Sequence, residues 1–526
     1  MTAGVAAPAS RPWVGHLWWL PYAIVIVGAL AMFGQTVEDP FITLRYADNL
    51  RHGHGPVFTV GERVEGFTSP LHLLVALVAL ELPGGTPLLW AKLLSLLFAL
   101  LLVREVGRLT TAIGGGDLAV LLARLLVATN LAVWTVAGNG LETTLWCWLL
   151  VLALRVVVDD TRTGWWKRSA AALIVALLAR PDMLVIGPVV IAARAYVRRD
   201  RAPVVRLAAA FGAVVVALTA ARLAYYGQLL PNTYYAKAAP IATSVRAGLS
   251  YLLDGVGTDV IARERSSAFR LVGVFANLAW LLPALAGARA GVRRDRTVVP
   301  IVAAVLAATA VVIRAGGDWM GGARFGVPLL ALLSPFAGCW LAARAAAHRP
   351  RPWAPVAAIT AAVLFTQVLS PHHPWWKIDF ATEDRAFVTQ GPGPFPAFWV
   401  AASDVLDRCA QPGWLVAGSE MGFAPFHHPE LRFLDLRGLV SDDVSHAPAE
   451  LKGTAGVTDE HWFEPDSPVG RVLLARRPEL ILTFDAPPGQ SPPPVALDGA
   501  YRSVDVIPGE GVSERVYARA DVTTCG

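Results

Sequence analysis

Apolar residues fall in long runs near 17–36, 87–106, 118–137, 141–158, 169–180, 182–197, 203–223, 269–288, 297–314, 325–344 and 353–370. A helix crossing the hydrocarbon core of a bilayer needs about 20 such residues. The pattern therefore predicts a polytopic α-helical membrane protein of about eleven spans. The first run is expected to be a retained helix and not a cleaved leader, because its n-region is weakly basic and many spans follow. The run 71–82 is too short to span and ends in Glu81-Leu82-Pro83, so it is expected to be interfacial or re-entrant. The runs 169–180 and 182–197 predict a helical hairpin turning at Arg180-Pro181-Asp182. After about residue 371 the pattern changes. Pro, His, Asp and Glu rise, and short apolar runs such as 414–418 and 480–484 are bounded by Gly, Pro and Asp. These predict strands of a small α/β domain. The expected organisation is a transmembrane domain over 1–372 and a C-terminal domain over 373–526.

Charge adds sidedness to this pattern. Lys and Arg cluster at Arg104/Arg108, Arg162/Lys167/Arg168, Arg198/Arg199/Arg201, Arg289/Arg293/Arg294/Arg296 and Arg344/Arg349/Arg351. Cytoplasmic loops carry the excess of Lys and Arg. Placing these clusters inside puts the N-terminus in the cytoplasm and the C-terminal domain outside. Every unusual polar string then lies on the outer face: 37–70, GLE at 140–142, RPD at 180–182, YYGQLLPNTYYAK at 225–237 and GGDWMGGARF at 316–325. The net charge of +5 thus reports topology and not nucleic-acid binding. Four cysteines share no short spacing, which excludes a metal framework, though Cys409 and Cys525 could pair outside the membrane.

The stretch 38–72 holds the densest candidate chemistry. Glu38 and Asp39 stand where the first span meets water, followed by Arg45, Asp48, Arg51, His54, Glu62 and Glu65 among aromatic residues. Ionisable groups at a membrane surface are costly unless they act on something polar. An enzyme on the outer face has no nucleotide-sugar supply, so a glycosyl donor there would be a polyprenyl-phosphate sugar. Its transfer needs a carboxylate at the reacting carbon or hydroxyl, cations on the leaving phosphate and an apolar groove for the lipid. Glu38 or Asp39 supplies the first, and the pattern leaves open which. Arg180, Lys237 and Arg324 are candidates for the second, with Glu142, Asp182, Asp318, Asn232, Tyr234 and Tyr235 around the donor. His54, Glu65 and Trp319 are candidates for the acceptor. Each has a structural alternative: an Arg180–Asp182 pair within the hairpin, a snorkelling Lys237, an Asp318–Arg324 pair closing a loop, a Glu142 charge favoured by a helix dipole. His52/His54, His372-His373 and His427-His428 read as turn or surface residues. Gly114–Gly116 lacks a phosphate-loop Lys-Ser/Thr. No metal ligand set is assigned, and a divalent cation stays open as a cofactor.

The order of these strings resembles the GT-C membrane glycosyltransferases: an acidic pair leading into FITLRYADNL, then GHGPVFTVGERVEGFTSP, GLET, RPD, YYGQLLPNTYYAK and GGDWM…RF. It is most similar to the terminal β-(1→2)-arabinofuranosyltransferases of actinobacterial envelopes. The resemblance implies decaprenyl-phosphoryl arabinose as donor, an arabinan glycan of the cell envelope as acceptor, and membrane lipid as the surrounding partner. It also implies a catalytic acidic residue in the first outer loop, which maps onto Asp39, with Glu38 where many relatives carry Asp. The alternatives are a polyprenyl-phospho-mannose-type transferase acting on protein or lipid, and a non-catalytic transporter of lipid-linked saccharide. A transporter would carry polar residues at mid-span as well.

Overall fold

Proline positions set where the helices around the polar end begin. Pro21, Pro40, Pro70 and Pro87 each occupy the first helical positions of α1 (Leu20–Ala31), α2 (Asp39–Arg51), α3 (Pro70–Glu81) and α4 (Pro87–Ala112). A proline costs nothing there, since the missing N–H would have no intrahelical partner. Ser69 and Thr86 cap α3 and α4 by accepting from the N–H groups of His72 and Leu89. The structure is a computed structural model. It describes residues 14–34, 36–159, 164–198, 200–255, 267–318, 320, 324–347, 395–453, 456–458, 462–484, 497, 499–507 and 514–525. The expected span 353–370, the boundary at 372–373, His372-His373 and Trp319 lie outside these residues.

The other ten apolar runs all fall on helices: α1; α4; α5 (Asp117–Ala128) with α6 (Leu131–Gly138); α7 (Thr143–Asp159); α8 (Trp165–Ala179); α9 (Met183–Val197); α10 (Arg201–Tyr226); α11 (Asn232–Ala236) and α12 (Ile241–Gly255) between them; α13 (Ser267–Arg294); α14 (Val299–Ala315); α15 (Val327–Ala347). Among the described residues, four helices are long and apolar enough to cross a membrane alone: 87–112, 201–226, 296–315 and 324–347. The α5–α6 pair, bent by 63°, makes a fifth if it is one span. Helices α8 and α9 are shorter, 15 residues each, because a polar break at 180–182 divides them. Arg180 is extended (φ −157°, ψ 142°) as the residue before Pro181 and ends α8. One large apolar core joins α1, α4 to α10 and α13 to α15.

The stretch 37–70 is not a solvated loop. Its first part is α2, and Phe41, Tyr46 and Phe58 are fully buried. Helix α2 is the spindle on which the rest winds. Asn49 donates from Nδ2 to the carbonyls of Val57 and Phe58, Tyr46 donates to Val64 O, and the Gly66 N–H donates to the Tyr46 hydroxyl.

Among the described residues, the C-terminal region starts at α16 (Phe395–Cys409) and builds a sheet from β1 (Leu415–Gly418), β2 (Arg432–Asp435), β5 (Leu480–Phe484), β6 (Tyr501–Ile507) and β7 (Glu514–Arg519), in the order β2-β1-β5-β7-β6. Strands β1, β2 and β5 are parallel; β5, β7 and β6 are antiparallel. Short β3 (Lys452–Gly453) and β4 (Gly456–Val457) form a separate hairpin. Helices α17 (Phe423–His427), α18 (Asp442–Ser445) and α19 (Pro468–Arg476) complete it. Cys409 and Cys525 form a disulfide that ties α16 to the C-terminal end. A second core is common to both regions: Phe41, Phe58 and Phe67 pack with Phe423, Phe433 and Val440. His428, expected at the surface, is 4% exposed within it, its Nε2 lying 2.9 Å from Ser403 Oγ. Its Nδ1 lies 3.4 Å from Glu430 Oε1, and its carbonyl accepts from Arg45 of α2.

Candidate active site

At the end of the bundle facing the C-terminal region lies a cavity of about 610 Å³. Three charged clusters converge on it. The first is Arg324 with Asp318: Nη2 donates to Oδ1 at 3.1 Å, and Nη1 lies 4.0 Å from Asp39 Oδ2. The second is Arg180, which bonds Glu142 through Nη1 and Asp182 through Nε, each at 2.8 Å. Pro181 holds Arg180 extended across the hairpin, and Glu142 sits on a short turn. That turn is pinned by Ser95, which donates to Leu141 O, and by Asn139, whose Oδ1 accepts the Leu141 N–H. The Phe325 ring centroid lies 5.2 Å from Arg180 Cζ and 5.1 Å from Arg324 Cζ. The ring attracts both cations.

The third cluster is Asp39 and Lys237. Asp39 is the first residue of α2 and keeps 22% of its side chain open to the cavity. Burial raises its pKa above the ordinary aspartate value, and Arg324 and Lys237 counter that only in part. Lys237, at the end of the YYGQLLPNTYYAK string, has its pKa lowered by burial and by the nearby Arg324. Among the described residues it has no hydrogen-bond or ion-pair partner, which leaves its three donors free for a ligand. The rest of the wall is largely apolar, including Ile42, Leu184, Val185, Leu230, Ala310 and Val311.

Of the residues singled out from sequence, Asp39, Glu142, Arg180, Asp182, Tyr234, Lys237, Asp318 and Arg324 line this cavity. Both structural pairings foreseen, Arg180–Asp182 and Asp318–Arg324, are also present, so the same residues close the fold and face the cavity. The others sit elsewhere. Glu38 turns away from Asp39, and its carboxylate accepts the N–H groups of Met421 (3.2 Å) and Gly422 (2.7 Å). Burial, and then the adjacent Glu420, push its pKa well up. Asn232 is buried and donates to the carbonyls of Gly438 and Leu439. Tyr235 stacks on His446 at 5.0 Å. Glu65 is 5% exposed and paired with Arg222, because burying a carboxylate requires a cation beside it. His54 is exposed and outside the lining, and Trp319 is not among the described residues.

Sequence reading missed Thr43, Thr68, Arg314, Phe325 and Leu439, all of which line the cavity. Arg314 offered a signal, a cation at the end of an apolar run. Leu439 offered none: it arrives from the C-terminal region on a loop held by Asp435, whose carboxylate accepts the N–H groups of Arg437 and Val440. No cluster of three or more His, Cys, Asp or Glu suited to a metal ion occurs among the described residues.

Comparison with solved structures defines the class. ArnT from Cupriavidus metallidurans, solved bound to undecaprenyl phosphate, superposes with a TM-score of 0.57 at 13% identity, covering 98% of this chain and 100% of that one. The Archaeoglobus fulgidus oligosaccharyltransferase superposes with a TM-score of 0.52 at 11% identity, covering 90% of this chain and 70% of that one. The chain is a multi-pass membrane protein with the GT-C fold. Within that fold it is similar in sequence to the terminal β-(1→2)-arabinofuranosyltransferase of Mycobacterium tuberculosis, at 30% identity over 57% of this chain and 51% of that protein. The chain thus spans about half the length of the curated relative it matches. No family model matches it.

Proposed function

We propose that this protein is a membrane glycosyltransferase that moves a sugar from a polyprenyl-phosphate donor onto a cell-envelope glycan at the outer face of the plasma membrane. The favoured transfer is of arabinofuranose from decaprenyl-phosphoryl arabinose to an arabinan. The observation that carries this reading is the meeting of Asp39, Arg324 and Lys237 at one cavity whose remaining wall is largely apolar. The similarity to an arabinofuranosyltransferase and the fold shared with a protein that binds undecaprenyl phosphate support it.

The chemistry follows from the charges. The bond between the anomeric carbon and the phosphate oxygen breaks, and its electron pair stays with the phosphate. Lys237, unpaired, and Arg324, which keeps donors beyond those given to Asp318, receive that charge. A bond forms between the anomeric carbon and an acceptor hydroxyl oxygen, whose proton must leave. Asp39 takes that proton if transfer inverts the anomeric centre; it steadies or traps the cationic sugar if the β configuration is retained. Its partial desolvation favours either role by making the carboxylate more basic than a solvated one. Ile42, Leu184, Val185 and Val311 offer the surface for the first isoprene units. The same reading places the N-terminus in the cytoplasm, the cavity and C-terminal domain outside, and the domain boundary near 372.

The test is transfer by purified protein from radiolabelled decaprenyl-phosphoryl arabinose to a short arabinan, with phosphoryl mannose as the parallel donor and NMR of the product's anomeric configuration. Arabinosyl transfer lost in Asp39→Asn is the expected result. Transfer from the mannosyl donor alone would overturn the sugar, and no transfer from either would overturn the reaction.

A further inference from the structure

Ligands of open parallel sheets bind in the crevice outside the carboxyl ends of the strands, where the strand order reverses. In this C-terminal sheet the reversal lies between β1 and β5, since β2 leaves β1 on one side and β5 returns on the other. That crevice is already filled. Glu38 of the membrane domain enters it beside Gly418, Ser419, Glu420 and Leu482, leaving about 10 Å³, no more than one water requires. Its carboxylate is held there by the Met421 and Gly422 N–H groups.

Helix α2 is gripped the same way along one face. At 100° per residue, Glu38, Phe41 and Arg45 share a side. Phe41 packs edge-on against Phe423 at 5.3 Å. The Arg45 guanidinium, 3% exposed, donates to the carbonyls of Phe58, Pro425, His428 and Leu431. Asp39, Ile42 and Thr43 share the adjacent side, and that side lines the cavity. One helix face is therefore bolted to the C-terminal domain and the next presents the catalytic carboxylate.

We infer that Glu38 is a positioning residue: by occupying the crevice of the C-terminal sheet it fixes the first turn of α2, and with it Asp39, against Arg324 and Lys237. This rests on the function proposed above. It gives the C-terminal domain a part in the chemical step that is separate from holding an acceptor. Gly422 makes the contact close. A Cβ there would lie 2.3 Å from the Glu38 carbonyl oxygen and 2.6 Å from its Cβ, so a methyl must push the start of α2.

The experiment compares Gly422→Ala, Glu38→Ala and Glu38→Asp with wild type in detergent. It measures kcat, KM for the lipid donor, equilibrium binding of undecaprenyl phosphate, and amide hydrogen exchange over residues 39–44. A displacement of the nucleophile or base by about 1 Å costs about 100-fold in rate. The expected result is a loss of about that size in kcat for Gly422→Ala and Glu38→Ala, with KM and lipid-phosphate affinity unchanged and faster exchange confined to 39–44. Glu38→Asp should regain part of kcat, because it keeps an acceptor for one of the two N–H groups. Wild-type kcat in Glu38→Ala and Gly422→Ala would overturn the inference, as would equal losses of kcat, lipid affinity and exchange protection throughout the bundle. If the wild-type protein moves no sugar, the proposed function fails, and the exchange at 39–44 in Gly422→Ala still decides whether Glu38 positions Asp39.

Discussion

Asp39 and Lys237 differ from the other charges at the cavity in what they lack. Arg180, Glu142, Asp182, Asp318 and Arg324 neutralise one another at hydrogen-bond distance. Asp39 has a cation only at 4.0 Å, and Lys237 has no partner among the described residues. Both consequently titrate away from their usual values, Asp39 upward and Lys237 downward, with burial the first cause in each case. A bell-shaped rate profile is expected. Activity is lost as pH falls through the raised Asp39 value, above the ordinary aspartate value of about 3.9. It is lost again as pH rises through the lowered Lys237 value, below about 10.4. Lys237→Arg should move the alkaline limb upward, and a pH series of kcat/KM checks it. Asp39→Asn is expected to lower kcat by about 10³-fold. It should melt no lower than wild type at neutral pH. An acid whose folded-state pKa is raised contributes stability when protonated, and loses it as pH rises through that value. Scanning fluorimetry of the two proteins measures it.

At the scale of elements, helix ends meet at this cavity and their side chains are shared between folding and function. Arg180 shows the cost of that sharing. Arg180→Leu would strand Glu142 and Asp182 as unpaired carboxylates, and breaking a buried pair from one side costs about 3–5 kcal/mol. The variant should lose both thermal stability and transfer, whereas the double variant with Asp182→Asn should recover stability but not transfer. Arg45 acts one layer further out, tying α2 to the loop before β2. Arg45→Met removes a donor to four carbonyls, of which Phe58 O keeps Asn49 and His428 O keeps the Leu431 N–H. Each carbonyl left buried and unbonded costs about 1–3 kcal/mol, so release of the C-terminal domain in limited proteolysis is the expected outcome.

At the scale of the whole molecule, the two ends of the bundle are chemically distinct. The end opposite the cavity brings Arg294 near Gly114 and Cys339 beside Gly115, where the inner loops were expected to gather. The cavity end carries the C-terminal sheet and the Cys409–Cys525 disulfide, a bond that persists in oxidising compartments. In intact cells a membrane-impermeant maleimide should label His54→Cys and spare Arg293→Cys, both positions being exposed. The reverse pattern would invert the topology. The disulfide closes a loop of 116 residues. Its reduction is expected to cost about 5 kcal/mol, read as a lower melting temperature with reductant.

Length and boundaries of the apolar runs were enough to specify a helical membrane protein, the break at Arg180-Pro181, and the strands at 415–418 and 480–484, because these follow from local physics: hydrocarbon thickness, proline geometry and the Gly, Pro and Asp that bound short apolar runs. The polar strings at the helix ends likewise named most of the charged cavity lining, since a charge beside lipid stands out in any window. Which of two adjacent carboxylates faces the cavity was not local information. Glu38 and Asp39 differ by one step of 100° around a helix axis, and only the docking of Met421 and Gly422, remote in sequence, turns one into the sheet crevice and the other toward Lys237. The same holds for Asn232, Glu65, His428 and Leu439: their partners come from chain segments that only folding brings together.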